Sequence, residues 1–184
     1  MSSSVEVLEV LEESRRQGFL GDRSVEQVVE HAQAFVAALT TVNGEVADLG
    51  SGGGVPGLVI ADGRPDLRLV LVDRRRKRTD FLARAVSRLG WRERVEIISG
   101  DVADVVADGR CFDGAVARGF GPPESTLATA SSLTVDGGLV VISEPPTGDR
   151  WPPHVLSAAS VERVGSPDDR VAVFRRLPRS IHER

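Results

Sequence analysis

The glycine-rich segment Asp48-Leu-Gly-Ser-Gly-Gly-Gly54 is the part of the sequence whose residue types and spacing best fit a chemical role. Glycine has no Cβ, so such a segment can turn tightly and approach a bound ligand closely. It leads into a predicted short helix over 56–61. Because the free N–H groups and dipole of a helix N-terminus favour a carboxylate or phosphate, the segment predicts a ligand-binding loop.

An acidic residue, Asp73, ends the next predicted strand about 20 residues beyond the glycines. A carboxylate there can accept hydrogen bonds from both hydroxyl groups of an adenosine ribose, so S-adenosylmethionine or a dinucleotide fits this pattern. The run Gly52-Gly-Gly-Val-Pro-Gly57 itself matches the dinucleotide motif. Two residues favour the methyl donor. Asp48 could help to place the ligand's ammonium group, and Pro56 lacks the N–H that a pyrophosphate would need.

Two further strand ends are expected to complete the pocket, because ligands of open α/β sheets bind at the carboxyl ends of the strands. Asp101, or a backbone amide beside it, follows the predicted strand 95–99 and could recognise adenine. Arg118 follows the strand 113–117, where it would face the methionine end of the donor and the substrate. The alternative for Arg118 is a surface ion pair. Phe120 either stacks on a target base or belongs to the core.

The apolar pattern predicts the elements that position these residues. Helices are expected near 5–17, 24–42, 56–61, 76–89, 102–107 and 124–133, and strands over 45–49, 67–73, 95–99, 113–117, 139–143, 160–164 and 170–177. This order predicts an α/β, Rossmann-like fold: a mostly parallel seven-stranded sheet with helices on both faces and a C-terminal antiparallel hairpin strand. We expect helices within residues 1–41 to pack on a core formed by 42–184, giving one compact domain.

Composition restricts the class of protein. The 184 residues carry a net charge of −4, so no overall electrostatic attraction draws the chain to nucleic acid. The single cysteine, Cys111, excludes an internal disulfide and argues against a cysteine-rich metal site, and we expect no metal. No apolar stretch of membrane length or signal-peptide pattern is present, so a cytoplasmic location is expected.

At the loop and the strand ends the sequence resembles the glucose-inhibited division protein B family, the small-subunit ribosomal RNA guanine-N7 methyltransferases. The resemblance covers about residues 28–142 and includes His31, Asp48–Gly57, Arg64-Pro65, Asp73, Lys77-Arg78, Phe81-Leu82, Leu89-Gly90, Phe112-Asp113-Gly114 and Arg118. It implies S-adenosylmethionine as the cofactor, with Gly50, Val55, Val102, Ala103 and Arg118 at the family's cofactor-contacting positions. Together, the predicted cofactor-binding residues are Asp48, Gly50, Ser51, Gly52, Val55, Asp73, Asp101, Val102, Ala103 and Arg118.

The chain also departs from the family. It lacks the Asn-Leu-Thr stretch ahead of the histidine helix, and Ala103 stands where the family often has glutamate. After the fifth strand Ser143-Glu144-Pro145-Pro146 replaces Lys-Gly, and an acid beside the site would repel RNA phosphate.

The resemblance implies methyl transfer to guanine N7, which has an exposed lone pair and requires no general base. The enzyme's task would be alignment, with Arg118 positioning the reactants. The three histidines, His31, His154 and His182, are expected to be structural or solvated rather than catalytic.

The densest basic run consists of Arg74, Arg75, Arg76, Lys77 and Arg78. These cations oppose the dipole of the helix that they begin, so contacts with RNA phosphate would explain them. A solvated face balanced by nearby acids is the alternative.

Several functions therefore remain open: a ribosomal RNA methyltransferase, a small-molecule methyltransferase, a non-catalytic binder of the methyl donor and, less favoured, a nicotinamide-dependent oxidoreductase. The basic run favours RNA as the substrate, whereas the acidic net charge and Glu144 favour a small molecule.

Overall fold

A computed structural model describes residues 3–145, 150–166 and 168–178 of the chain. The helices are α1 (Val5–Arg16), α2 (Val25–Ala38), α3 (Gly57–Gly63), α4 (Arg76–Arg88), α5 (Val102–Ala107), α6 (Pro123–Ser132) and α7 (Pro153–Ala158). The strands are β1 (Glu45–Leu49), β2 (Arg68–Asp73), β3 (Val95–Ser99), β4 (Phe112–Ala117), β5 (Thr134–Ser143), β6 (Val161–Val164) and β7 (Val171–Arg176).

The seven strands form one sheet in the order β3-β2-β1-β4-β5-β7-β6. Strands β1 to β5 run parallel, and β7 pairs antiparallel with both β5 and β6. The predicted mostly parallel sheet with a C-terminal antiparallel hairpin is therefore confirmed. Because the strand order reverses at β1, the loops after β1 and β4 diverge and leave a crevice at the carboxyl ends of the strands.

The central strands are buried on both faces. In β2, Leu69 and Leu71 belong to the core that includes α1 to α4, whereas Val70 and Val72 face the core that includes α5 to α7. This alternation explains why the strand is a continuous apolar run in the sequence.

The N-terminal helices pack on one face of the sheet. Ser24 and Gln27 form a capping box at the start of α2, each side chain accepting a hydrogen bond from the backbone N–H of the other residue. In α1, the Ser14 hydroxyl donates a 2.8 Å hydrogen bond to the carbonyl of Gly53, so this helix contacts the glycine-rich loop directly.

Two elements differ from the prediction. Strand β5 begins at Thr134 rather than at residue 139, because Gly137-Gly138 indicated a turn but lies within the strand. A Cβ at residue 138 would lie 2.7 Å from the carbonyl oxygen of Asp113, so β4 approaches too closely for any other residue type. Helix α7, which begins at Pro153, was not predicted. Its proline occupies the first helical position, where the missing N–H costs no intrahelical hydrogen bond.

Within the described ranges, no helix combines the length and the apolar character needed to cross a bilayer.

Candidate functional site

A cavity of about 330 Å³ opens at the carboxyl ends of β1 to β4. We call it the strand-end cavity, and its lining residues are Gly50, Val72, Asp73, Arg74, Arg75, Arg78, Gly100, Asp101, Val102, Gly119 and Phe120. It therefore lies at the crevice where open α/β sheets bind their ligands.

The loop after β1 is fixed by hydrogen bonds to β2. The backbone N–H groups of Gly50 and Ser51 both donate to the carbonyl of Val72, at 2.9 Å each. Gly50 has a φ of +71°, and a Cβ at this position would lie 2.9 Å from Cδ2 of Phe120. Both the left-handed backbone and the closeness of the Phe120 ring therefore require glycine at the cavity wall.

The carboxylate of Asp73 links the two sides of the strand-end cavity. Its Oδ2 accepts a 2.8 Å hydrogen bond from the N–H of Gly52, and its Oδ1 accepts one of 2.8 Å from the N–H of Arg75. The Arg78 guanidinium forms an ion pair with Asp73 at 3.6 Å. Carboxylate oxygens have further lone pairs, so Asp73 can hold the loop and still accept hydrogen bonds from a ligand.

Asp48 lies beneath the loop rather than in the strand-end cavity. Its side chain is buried, and Oδ2 accepts a 3.1 Å hydrogen bond from the N–H of Gly57 at the start of α3. Burial raises the pKa of Asp48 to about 7, against the opposing effects of the nearby Ser51 hydroxyl, the N–H of Gly57 and the charge of Arg118. The helix N-terminus expected to receive a ligand is therefore partly occupied by the protein's own carboxylate.

Helix α5 forms a further wall of the cavity. Asp101 caps this helix, accepting a 3.0 Å hydrogen bond from the N–H of Ala103. Val102 is buried and presents an apolar surface, whereas Ala103 is exposed and lines a neighbouring cavity of about 360 Å³. The N–H of Ala103 is thus already occupied by Asp101.

Arg118 follows β4 and is partly buried, although it is not among the lining residues of either main cavity. No residue in the described part of the chain gives it a hydrogen bond or an ion pair. Burial lowers the pKa of Arg118, while the charge of Asp48 raises it and that of Arg23 lowers it. The guanidinium is therefore a cation without a direct partner in the described part of the chain, close enough to Asp48 and His31 for their charges to interact.

The structure thus divides the predicted cofactor-binding residues into two groups. Those that line the strand-end cavity are Gly50, Asp73, Asp101 and Val102. Those that support it from behind or lie beside it are Asp48, Ser51, Gly52, Val55, Ala103 and Arg118.

A second cavity, of about 700 Å³, adjoins the first and shares Gly119 and Phe120 with it. We call it the His31 cavity, and its other lining residues are Arg23, His31, Ala117, Gly121, Pro123, Thr126, Ile142, Ser143, Glu144, Pro145, Arg150, Asp169 and Arg170. Nε2 of His31 lies 2.9 Å from the Ser143 hydroxyl. Burial, and then the charge of Arg118, lower the pKa of His31, so its imidazole is neutral at neutral pH.

Glu144 does not present a free negative charge to the His31 cavity. Its carboxylate is 6% exposed and accepts hydrogen bonds from Nη2 of Arg150 at 3.0 Å and from Nε1 of Trp151 at 2.8 Å. The expected repulsion of RNA phosphate is therefore offset by the Arg150 guanidinium, which the sequence alone did not place beside Glu144. Pro146 of the same segment lies outside the described residues.

The basic run does not act as one surface. Arg74, Arg75 and Arg78 line the strand-end cavity, and Arg78 is directed toward Asp73. The two remaining cations, Arg76 and Lys77, are exposed on the first turn of α4. Arg78 therefore belongs to the cavity rather than to an outward-facing patch.

Two residues have larger places in the site than the sequence analysis gave them. His31 was expected to be structural or solvated, but it faces a cavity, and its match to the family's histidine was the available signal. Phe120 lines both main cavities and the one beside α5, so it lies at the site rather than wholly in the core, the other position expected for it.

Comparison with known proteins identifies the relatives of this chain. The family model described as rRNA small subunit methyltransferase G matches residues 7–144. A ribosomal RNA small subunit methyltransferase G of Frankia casuarinae is 33% identical over 129 residues, which cover 67% of this chain and 49% of that protein. The protein of the same name from Mycobacterium marinum is 32% identical over 161 residues, covering 84% of this chain and 68% of its own length. The chain spans about half the length of the first of these relatives.

Solved structures share the fold at lower identity. A methyltransferase from Geobacter sulfurreducens superposes with a TM-score of 0.66 at 17% identity, covering 97% of this chain and 91% of that one. An O-methyltransferase from Bacillus cereus, solved in complex with SAH, gives a TM-score of 0.63 at 15% identity and covers 97% and 93% of the two chains. These matches confirm the Rossmann-like fold, and the match over residues 7–144 shows that the chain belongs to the rRNA small subunit methyltransferase G family, the family that the loop and strand ends resemble.

Proposed function

We propose that this protein is an S-adenosylmethionine-dependent methyltransferase that methylates N7 of a guanine in small-subunit ribosomal RNA. The observation that carries the proposal is the position of the strand-end cavity. It lies at the strand ends of a methyltransferase fold, and every lining residue falls within the family match over residues 7–144. The proposed substrate places the protein in the cytoplasm, with ribosomal subunits.

The residues of the strand-end cavity fit an adenosine-containing cofactor. Asp73 has spare lone pairs for the two ribose hydroxyls, and its position is fixed by Gly52 and Arg75 before any ligand arrives. Gly50 allows the ligand to approach the backbone, and Val102 offers an apolar face to the adenine ring. Asp101, at the exposed rim, is the proposed acceptor for the adenine amino group.

The start of α3 argues against a dinucleotide. A pyrophosphate bound at a helix N-terminus needs free N–H groups and no competing negative charge. Here the N–H of Gly57 donates to Asp48, and Pro56 has no N–H to offer. The pKa of Asp48, about 7, makes its carboxylate partly ionised at neutral pH, which would repel a pyrophosphate.

The proposed reaction needs alignment more than proton transfer. The cofactor would supply a sulfonium methyl group, and guanine N7 offers a lone pair without losing a proton. The protein's part is to hold the base in line with the methyl group, next to the wall that Gly119 and Phe120 share between the two cavities. Arg118, which lacks a partner among the described residues, is the proposed positioning residue.

For RNA binding we propose that Arg74, Arg75, Arg76 and Lys77 contact phosphate groups, because all four are exposed. Arg78, whose guanidinium lies 3.6 Å from the Asp73 carboxylate, is expected to contribute less to phosphate binding than these four. The second candidate function is methylation of a small molecule, which the net charge of −4 favours.

Titration calorimetry with S-adenosylmethionine, S-adenosylhomocysteine and NAD tests the cofactor part of the proposal. We expect both sulfur-containing ligands to bind and NAD to give no heat. Binding of NAD alone would contradict the assignment. Label from a methyl-labelled donor then distinguishes the two substrates: it stays with RNA in the first function and appears in a soluble product in the second.

A further inference from the structure

Several arginines surround the His31 cavity. Four cations, Arg23, Arg118, Arg150 and Arg170, line it or lie close to it. The charges of Arg118, Arg23 and Arg170 all act on His31, and Asp168 opposes them. Three cations and one acid therefore act on this imidazole, while Glu144 and Asp169 add negative charge to the cavity wall.

These cations differ in the number of ion pairs and hydrogen bonds that they form with other residues. Arg170 is paired with Asp168 at 2.6 Å and with Glu30 at 3.3 Å, so its charge is largely balanced. Arg23 is exposed and has no ion pair or hydrogen bond within the described ranges. Arg23 is therefore available to a ligand that enters the cavity.

Arg150 is held in place but keeps unused donors. Its Nη2 donates to the carbonyl of Ser143 at 2.7 Å and to the carboxylate of Glu144 at 3.0 Å. Its Nε is buried and has no hydrogen-bond partner among the described groups. A guanidinium has five N–H donors in a fixed planar arrangement, so this anchoring through one nitrogen orients the others.

The position of the cavity relates it to the proposed reaction. Because the wall formed by Gly119 and Phe120 is common to both cavities, a base aligned with a methyl group in the strand-end cavity lies at the mouth of the His31 cavity. Every nucleotide of an RNA strand brings a phosphate with its base, and that group needs N–H donors and positive potential.

We propose that the His31 cavity binds one backbone phosphate of the RNA substrate, with Arg23 and Arg150 as the donors that position the strand. This inference rests on the proposed function, since it concerns the RNA substrate of the same site. Glu144 orients Arg150, and His31 acts as a neutral group that holds Ser143 rather than as a proton donor.

The test uses the full chain and RNA transcribed from the gene for small-subunit ribosomal RNA. Arg23→Gln leaves no buried group unpaired, because Arg23 is exposed. Arg150→Gln alone would leave Glu144 without its cation, so the double substitution Glu144→Gln/Arg150→Gln accompanies it. Arg92→Gln is the matched control, since Arg92 is exposed and lines neither main cavity.

Affinity for RNA is measured over a range of salt concentrations. We expect Arg23→Gln and the double variant each to weaken binding about tenfold and to reduce the slope of log K against log salt by about 0.7, the value for one lost phosphate contact on a single strand. Affinity for S-adenosylmethionine should stay unchanged, and Arg92→Gln should behave as the unmodified protein.

The outcomes separate this inference from the proposed function. If the unmodified protein methylates RNA and both variants retain its affinity and salt slope, the phosphate site is wrong while the function stands. If the unmodified protein binds no RNA, or if the label appears only in a soluble product, both are wrong. A tenfold loss with an unchanged slope would also overturn the inference, because it would indicate lost packing rather than a lost phosphate contact.

Discussion

The carboxylate of Asp73 accepts a 2.8 Å hydrogen bond from the N–H of Gly52, which joins the end of β2 to the glycine-rich loop after β1. The proposed ribose acceptor therefore also sets the shape of the loop beside it. Because the same carboxylate receives the N–H of Arg75, both sides of the strand-end cavity depend on a single side chain. Such preorganisation lowers the cost of ordering the site when a cofactor binds.

Substitution of Asp73 should affect cofactor binding more than any other single change in the cavity. Asp73→Ala removes the proposed acceptor of two ribose hydroxyls, so we expect affinity for S-adenosylmethionine to fall at least about a hundredfold, or roughly 3 kcal/mol. Asp73→Asn keeps one acceptor oxygen and should lose less. Calorimetry checks both variants, with the exposed Asp108→Ala as the control. Unchanged affinity in Asp73→Ala would show that Asp73 does not bind the ribose of the cofactor.

Gly50 should tolerate no side chain. In Gly50→Ala the new Cβ would lie 2.9 Å from the Phe120 ring, and the φ of +71° costs an L-residue about 1–2 kcal/mol. We expect reduced thermal stability together with a loss of cofactor affinity of about tenfold or more, because the displaced Phe120 ring is part of the cavity wall.

The control for that experiment is Gly109→Ala. Gly109 has a φ of +70° but no atom within 4 Å of its Cβ position, so this variant has the same backbone strain without the contact. It should lose stability and keep its affinity. Equal affinity losses in both variants would show that strain, rather than displacement of Phe120, causes the effect.

Arg118→Ala should lower turnover with little effect on folding. Arg118 has no hydrogen bond or ion pair with a described residue, so its removal breaks no direct contact there and takes away the charge that lowers the pKa of Asp48. We expect kcat for RNA methylation to fall about tenfold or more while Tm stays within a few degrees of the unmodified protein. Arg92→Ala serves as the control. Full activity in Arg118→Ala would show that Arg118 does not position the reactants.

The buried carboxyl of Asp48 should give the protein a characteristic dependence of stability on pH. Its pKa is about 7 in the folded protein and near the ordinary 3.8 in the unfolded chain, so the folded state binds more protons between these values. The free energy of unfolding should therefore decrease as the pH rises from about 4 to about 7. Above about pH 7 the stabilisation that comes from the protonated Asp48 carboxyl is lost.

Asp48→Asn keeps an acceptor for the N–H of Gly57 but cannot titrate. Its stability relative to the unmodified protein should therefore rise by roughly 1–3 kcal/mol between about pH 5 and about pH 8. Denaturant unfolding at the two pH values measures this difference. A difference that is constant with pH would mean that Asp48 is ionised throughout.

The sequence predicted the parts of this molecule that depend on local pattern. Strand β2 and helix α2 are set by the apolar pattern of neighbouring residues, and both lie within the predicted ranges 67–73 and 24–42. The loop after β1 and Asp73 were also identified, because parallel strands bring their carboxyl ends to the same edge of a sheet.

The parts that the sequence did not predict depend on long-range contacts. Ser143 meets His31 across 112 residues, and the contact requires β5 to lie beside the helix that carries the histidine. Glu144 was expected to repel phosphate because the sequence does not show its ion pair with Arg150. That pairing depends on how the chain turns after β5. The start of β5 was misplaced because Gly137-Gly138 has the local character of a turn.

The most direct test of the central claim is methyl transfer to small ribosomal subunits that lack the N7-methylguanine modification. The protein is incubated with these subunits and methyl-labelled S-adenosylmethionine, and the RNA is then digested to locate the label. We expect label on N7 of a guanine, and no label transferred by Asp73→Ala. Label absent from the RNA, in a protein that binds the donor by calorimetry, would contradict the proposed substrate.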